Sequence, residues 1–265
     1  MLSLYEAVAA NDVDLVRSLL DAGIDTDDKE SVYHSTEHRD LQILRLLIAN
    51  GAKVHGTNAL NHMLDREDPE GVNLLLSAGA DPNADHSLHW SIFRRRGPEV
   101  VKLLLDAGAL IGPDDYANAV VVGRLDVAAL LEQRGANPTL SPLERALGYG
   151  EPVPPFDGRA DLMPAQASMR QIGNVRRMLD SGFPIDARGR EHGATAMHWA
   201  CWKGDPDLAR LLLERGTSLT ILDTSFQATP LGWLDHASRT QSEPAGDHNG
   251  VRRVIDSTLP KTFHE

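Results

Sequence analysis

One pattern recurs along the chain and constrains its fold more than any other feature: a short helix-forming run, leucines at helical spacing, then glycine. Its copies are LVRSLLDAGID (15–25), ILRLLIANGAKV (43–54), VNLLLSAGADPN (72–83) and VKLLLDAGALI (101–111). They continue as VAALLEQRGANPT (127–139), VRRMLDSGFPID (175–186) and LARLLLERGTSLT (208–220), and a last copy, VRRVIDSTLPK (251–261), has Thr258 in place of the glycine. The marker glycines are Gly23, Gly51, Gly79, Gly108, Gly135, Gly182 and Gly216, at gaps of 28, 28, 29, 27, 47 and 34 residues. A repeat period of about 20–50 residues is the mark of a solenoid or array.

The physics of the pattern is direct. In Val101-Lys102-Leu103-Leu104-Leu105, apolar residues at i, i+3 and i+4 share one helix face, and the following glycine can take positive φ and end the helix. A helix this short is marginal alone in water. Stacked on copies of itself it buries a continuous core, each buried leucine contributing about 1.5–3 kcal/mol.

At 193–223 the sequence GATAMHWACWKGDPDLARLLLERGTSLTILD resembles an ankyrin repeat, with Thr195, His198, Ala200, Gly204 and Gly216 in register. A second anchor is ATPLGW (228–233), where Thr229-Pro230-Leu231 match and Gly232 replaces the histidine. The same register projects back onto 87–108 and 58–79. The resemblance implies an all-α solenoid of about eight stacked helix-turn-helix repeats with few or short β-hairpin fingers. It divides the chain into five short acidic repeats (1–140), a half-repeat helix with a Pro-rich insert (141–160), three repeats, the last carrying an inserted loop (161–257), and a tail (258–265).

Two departures from the family pattern matter. The short gaps up to Gly135 fall about five residues below the usual period of about 33, which predicts blunt connections there. The long gap before Gly182 holds SPLERALG (141–148), read as a helix capped by Ser141 ahead of Pro142. GEPVPPFDGRA (150–160) follows, and three prolines bar it from helix. A new pair of helices is expected from near Leu162. A smaller insert, roughly 238–247, is expected to split the last repeat.

Composition narrows the partners. Asp plus Glu (38) outnumber Lys plus Arg (26), for a net charge of -12. This argues against nucleic acid, whose binding needs basic surface, and against anionic membranes. Residues 1–140 carry 12 basic and 22 acidic residues, and 141–265 carry 14 and 16, so the front half could steer a basic partner or simply stay solvated. The single cysteine, Cys201, excludes an intramolecular disulfide. No export signal or membrane helix is visible. A monomeric, cytoplasmic protein without a cofactor is expected.

The resemblance implies a groove lined by the first helix of each repeat. The variable positions after its small residues fall at Glu37 and His38, Asp65 and Arg66, Arg94 and Arg95, and Val121 and Val122. Further along they fall at Ser168 and Met169, Trp202 and Lys203, and His236 and Ala237. Partner contacts are therefore expected at Trp202, Lys203, Arg94, Arg95, His38, Arg66 and His236. Trp202 is either the anchor, because a large aromatic buries much area at low entropy cost, or packed on the insert loops, whereas Trp199 and Trp233 are read as core. Arg94–Arg96 either pair with Asp65, Glu67 and Asp68 or hold an acidic partner.

No catalytic or metal constellation is convincing. His34 and His38 (i, i+4) and His86 and His89 lack a third ligand. Cys201 falls at a small, buried position, and His198 matches the histidine that stabilises turns in the family. The leading expectation is a non-catalytic module that binds a protein partner, as an inhibitor, immunity protein or regulatory scaffold. The alternative is an enzyme or small-molecule binder with a pocket under the 150–160 loop, using Glu151, Asp157, Arg159 and the His or Trp residues of the next repeats.

Overall fold

The structure is a computed structural model that describes residues 3–28, 30–240 and 245–258. Among these residues it is helical, without strands. The chain divides into two compact units, Met1–Leu140 and Ser141–Glu265.

Unit 1 contains five helix pairs: α1 (Leu4–Ala9) with α2 (Val13–Asp21), α3 (Ser31–Ser35) with α4 (Gln42–Ala49), and α5 (Ala59–Arg66) with α6 (Pro69–Ser77). They are followed by α7 (Ser87–Phe93) with α8 (Pro98–Asp106), and α9 (Asp115–Val121) with α10 (Leu125–Gln133). Unit 2 opens with the lone α11 (Pro142–Tyr149). Three pairs follow: α12 (Leu162–Ser168) with α13 (Ile172–Asp180), α14 (Ala196–Lys203) with α15 (Pro206–Glu214), and α16 (Pro230–Thr240) with α17 (His248–Thr258). The inserted loop of the last repeat thus starts later than expected, because Ser238–Thr240 extend α16, where Ser238 and Thr240 return their hydroxyls to the Leu234 and His236 carbonyls. Residues 241–244 and 259–265, and with them nearly all of the expected tail, lie outside the described residues.

Local chemistry sets the helix ends. Asp12, Asp68 and Asp205 accept the N–H three residues on and start the second helices α2, α6 and α15, with Pro69 and Pro206 at the first turn of the latter two. Ser141 and Glu144 form a capping box at α11, as do Ser3 and Glu6 at α1. All seven marker glycines have φ between +77° and +96°, the left-handed conformation that ends a helix at low cost only for glycine.

Within each unit the leucine faces form the core: Leu44, Leu47, Leu75, Leu104 and Leu131 in unit 1, and Leu143, Met178 and Leu212 in unit 2, have no exposed surface. Successive turns are also stapled by one recurrent hydrogen bond. A side-chain oxygen four residues after a marker glycine accepts the backbone N–H two residues after the next one. The pairs are Asp27 with Lys53 (3.1 Å), Asn83 with Leu110 (2.8 Å) and Asp186 with Ser218 (3.0 Å). The polar letters of the GIDTD, GADPN and GFPID tails thus satisfy backbone donors of the neighbouring repeat.

The connections differ between the units. In unit 1, residues 22–30, 50–58, 78–86 and 107–114 join one pair to the next, and in unit 2 the joins are 181–195 and 215–229. The longer joins fold back on themselves, with Gly189 donating to the Ala194 carbonyl (2.8 Å) and Asp223 to that of Ala228 (2.9 Å). They also bond to each other: Thr224 N–H donates to His192 O (2.7 Å), and Arg188 Nη1 donates to Leu222 O (2.7 Å).

Candidate functional site: an aromatic groove in unit 2

The inner helices α14 and α16 and their two long turns enclose a cavity of about 590 Å³. Trp199, Trp202 and Lys203 come from α14, and Gly232, Trp233, His236 and Arg239 from α16. Glu191, His192, Phe226 and Ala228 come from the turns. Spacings of three and four residues put each helix's contributions on one face.

Trp233 is the hub. Trp199, Trp202, His192, His198 and Phe226 lie with ring centroids 5.3–6.1 Å from it, all tilted or edge-on, arrangements that match the positive edge of one ring to the negative face of another. Trp202 stacks on His236, with planes 12° apart. Trp199 and Trp233 are 7% and 6% exposed and still line the cavity, Trp202 is half-buried, and Phe226 is 64% exposed. The core reading of Trp199 and Trp233 therefore captures their burial and misses that both also form the groove wall.

Buried polar groups hold this wall in place. Asp223, 1% exposed, accepts the N–H groups of Ser225 (2.8 Å), Phe226 (2.6 Å) and Ala228 (3.0 Å) and the Trp233 indole N–H (2.9 Å). Burial alone would raise its pKa, but these donors outweigh it and hold the carboxyl below its ordinary value. His198 Nδ1 accepts the Thr195 N–H (3.1 Å), so Nε2 carries the proton and donates to Ala228 O (3.1 Å). Burial lowers the His198 pKa, which keeps the ring neutral in that bridge. Cys201, behind the groove, is fully buried, and burial pushes its thiol up to about 12, so it carries no thiolate at neutral pH.

The other expected contact residues lie in unit 1 and are engaged within it. His38 Nε2 pairs with Val8 O (2.7 Å), and Arg66 Nη1 donates to the carbonyls of His38 (2.6 Å) and Thr36. Arg94 pairs with Asp65 and lies over the Trp90 ring, its guanidinium carbon 5.8 Å from the centroid. Arg96 stands 3.6 Å from Glu67, while Asp68 is spent capping α6. Arg95 has left-handed backbone (φ 59°), and its carbonyl accepts from Arg124 Nη1 (3.2 Å). Arg94 and Arg96 of the arginine cluster thus stand beside acidic residues of the same unit. Val121 and Val122, placed on the groove by register, are instead 7% and 3% exposed and belong to the core, as two adjacent aliphatic side chains would dictate.

The Pro-rich loop 150–160 is likewise bound to its surroundings. Arg159 donates to Glu144 (3.0 Å) and Ser141 Oγ (2.8 Å) and lies 3.5 Å from Asp157, while Arg145 donates to Glu151 (3.2 Å). The groups expected to converge in a pocket are therefore paired with one another and with α11. Arg177 and Ser181 of the next pair hold the loop through the Glu151 and Val153 carbonyls, and Phe156 meets Phe183 edge-on.

Sequence reasoning missed several groove residues. Phe226, His192 and Glu191 sit in turns where no helical period points at them. Gly232 and Arg239 fall on the Trp233–His236 face and were readable from that spacing. In unit 1, Trp90, 42% exposed, lines a smaller polar cavity of about 220 Å³ with Asn58, Asn61, Asp65, Asp85 and Arg94.

Paired short helices joined by stapled turns, with an exposed groove on the inner helices, define a helical-repeat protein. Two family models described as ankyrin repeats match the chain, one of three copies over residues 4–86 and one of many copies over 163–213. The chain belongs to the ankyrin repeat family, whose repeats generally mediate protein–protein interaction and whose fold is typically non-enzymatic. It is 30% identical over 82 residues to the palmitoyltransferase Hip14 of Drosophila melanogaster, a stretch covering 31% of this chain and 13% of that protein. Among solved structures it is similar to the ankyrin repeat domain of Bcl-3, a unique member of the IkappaB protein family. That similarity has 19% identity, covers 88% of this chain and 93% of that one, and has a TM-score of 0.31. No helix among the described residues is long and apolar enough to cross a membrane, and none of their side chains form a cluster of three metal-ligating groups.

Proposed function

We propose that the chain is a non-catalytic module that binds a protein partner mainly through the aromatic groove of unit 2, in an inhibitory, immunity or scaffolding role. Trp202, Lys203 and His236 are its principal contacts. Arg94, Arg95, Arg66 and His38 form a supporting surface on unit 1, where the side chains of Arg94, Arg66 and His38 are held by bonds within the unit. The observation that carries this reading is the concentration of three of the four tryptophans around one open cavity. Aromatic side chains in a preformed recess supply binding energy at low entropy cost. The size of the cavity falls in the usual range for binding pockets, about 300–1,000 Å³.

Affinity capture from the native cell, with the whole chain and its Trp202→Ala variant as baits, tests this. A protein retained by the first and lost from the second is the expected result. Equal recovery on both, or no specific protein on either, would overturn it.

A further inference from the structure

The Pro-rich insert of unit 2 contributes nothing to the aromatic groove, and its sequence leaves it few conformations. In Glu151-Pro152-Val153-Pro154-Pro155 three of the five residues are proline, whose ring locks φ near about −65°. Glu151, Val153 and Pro154 each precede a proline, which disfavours the helical region and favours extended backbone. Together these restrictions select the polyproline II conformation, a helix of about three residues per turn without internal hydrogen bonds. Among the described residues, no backbone–backbone hydrogen bond involves residues 151–157.

Exposure follows the same period. Pro152 and Pro155, one turn apart, are exposed, whereas Val153 and Pro154 between them are half-buried. The carbonyls divide as well. Those of Glu151 and Val153 accept from Arg177 (2.8 Å) and Ser181 (3.2 Å). Those of Pro152, Pro154 and Pro155 accept no hydrogen bond from the described residues. Phe156 meets Phe183 edge-on, with centroids 5.1 Å apart, and anchors the far end. The adjoining charges are compensated where they stand, Glu151 by Arg145 and Arg159 by Glu144 and Asp157. The segment therefore offers outward two proline rings on one edge and the carbonyls beside them, while the body holds it from beneath.

Such an edge matches one kind of groove. The rings of a proline helix seat between aromatic side chains, and its carbonyls take hydrogen bonds from the indole or phenol groups of that lining. A segment already held in its bound conformation loses little entropy on docking. We propose that residues 152–155 are a docking segment for a protein domain whose aromatic-lined groove reads polyproline II helices through prolines three residues apart. The segment uses no residue of the aromatic groove of this chain, so it stands or falls separately from that reading.

Titration of purified SH3, WW and EVH1 domains, whose grooves are of this kind, with the whole chain and three variants tests it. Pro152→Ala/Pro155→Ala removes both exposed rings, and Val153→Ala trims the residue between them. Val153→Pro/Pro155→Val keeps three prolines but breaks their spacing. Each variant should keep the circular dichroism of the parent. The expected result is a domain of one of these classes that binds the whole chain and binds the alanine pair and the respaced variant at least about tenfold more weakly. Its binding to Val153→Ala should change by less than about threefold. The respaced variant keeps the stiffness of the segment, so a loss there reports recognition and not a loosened loop. No binding by any of the three classes, equal binding to the alanine pair, or full binding to the respaced variant would overturn the proposal.

Discussion

The two units solve the same stacking problem with different resources. Unit 1 joins its helix pairs by eight or nine residues, and unit 2 joins the two later pairs by fifteen. The short joins of unit 1 are tied by single side chains, as at Asn83, which accepts from Leu110 and donates to the Gly108 carbonyl, whereas the long joins of unit 2 bond to each other through Thr224 and Arg188 and are braced by Asp223. The left-handed residue between the helices of a pair is Asn11, Glu67, Arg95 or Gly123 in unit 1 and Arg170 or Gly204 in unit 2, and Gly204 is pressed against the backbone of Gly246 and Asp247. The comparison teaches that a repeat which departs from its family's letters keeps the core and gives up turn chemistry. The aromatic groove forms where the turns bond to each other.

The largest effect should come from Gly204→Ala. Its φ of +60° disfavours any side chain, and a Cβ would lie 2.8 Å from backbone atoms that cannot swing away. A loss of about 3 kcal/mol or more in urea unfolding followed by circular dichroism is expected, and near-parental stability would break the claim that unit 2 is the tightly built half.

Asp223→Ala comes next. It strips four donors of a buried charged acceptor, so about 3 kcal/mol is expected, with tryptophan emission shifted to the red as Trp233 loses its partner. Asn83→Ala, at an exposed staple of unit 1, should cost about 1 kcal/mol. Equal losses would erase the contrast between the two kinds of turn.

Acid should weaken both units. Burial lowers the pKa of His198 in unit 2 and of His62 in unit 1, the latter aided by Arg66. A histidine whose folded pKa is depressed binds its proton more readily unfolded, so its contribution is present above the unfolded pKa of about 6.5 and is lost as pH falls below it. Urea midpoints should decline from about pH 6.5 downward, and His198→Gln and His62→Gln should each flatten the decline in part. A slope unchanged in both variants would assign the acid sensitivity to other groups.

The smallest effect should be a gain. Arg95→Gly relieves a left-handed arginine whose Nε is buried without a hydrogen-bond partner. A change of about +0.5–1 kcal/mol is expected, and a clear loss would mean that the Arg95 side chain contributes more than its backbone conformation costs.

The fold was legible because seven of the eight copies end on the same physical device. A leucine face followed by a left-handed glycine is readable at Gly23 and at Gly216 alike, although their surrounding letters differ. The Ser141-Pro142-Glu144 start of α11 was equally plain, since capping is local. The groove was legible only where it lies on helices, at Trp202, Lys203 and His236. Phe226 and His192 reach it from turns whose path depends on Asp223 accepting donors up to ten residues away, and no sequence period encodes that. Val121 and Val122 were misplaced because register alone assigned them, whereas their aliphatic character decides burial.

The central claim, that the groove of unit 2 is the recognition surface, is tested most directly by titrating the captured partner calorimetrically against the whole chain, Trp202→Ala and Arg94→Ala. Binding at least about tenfold weaker is predicted for Trp202→Ala, with a change within about twofold for Arg94→Ala. Binding indifferent to the loss of Trp202 and abolished at Arg94 would contradict it.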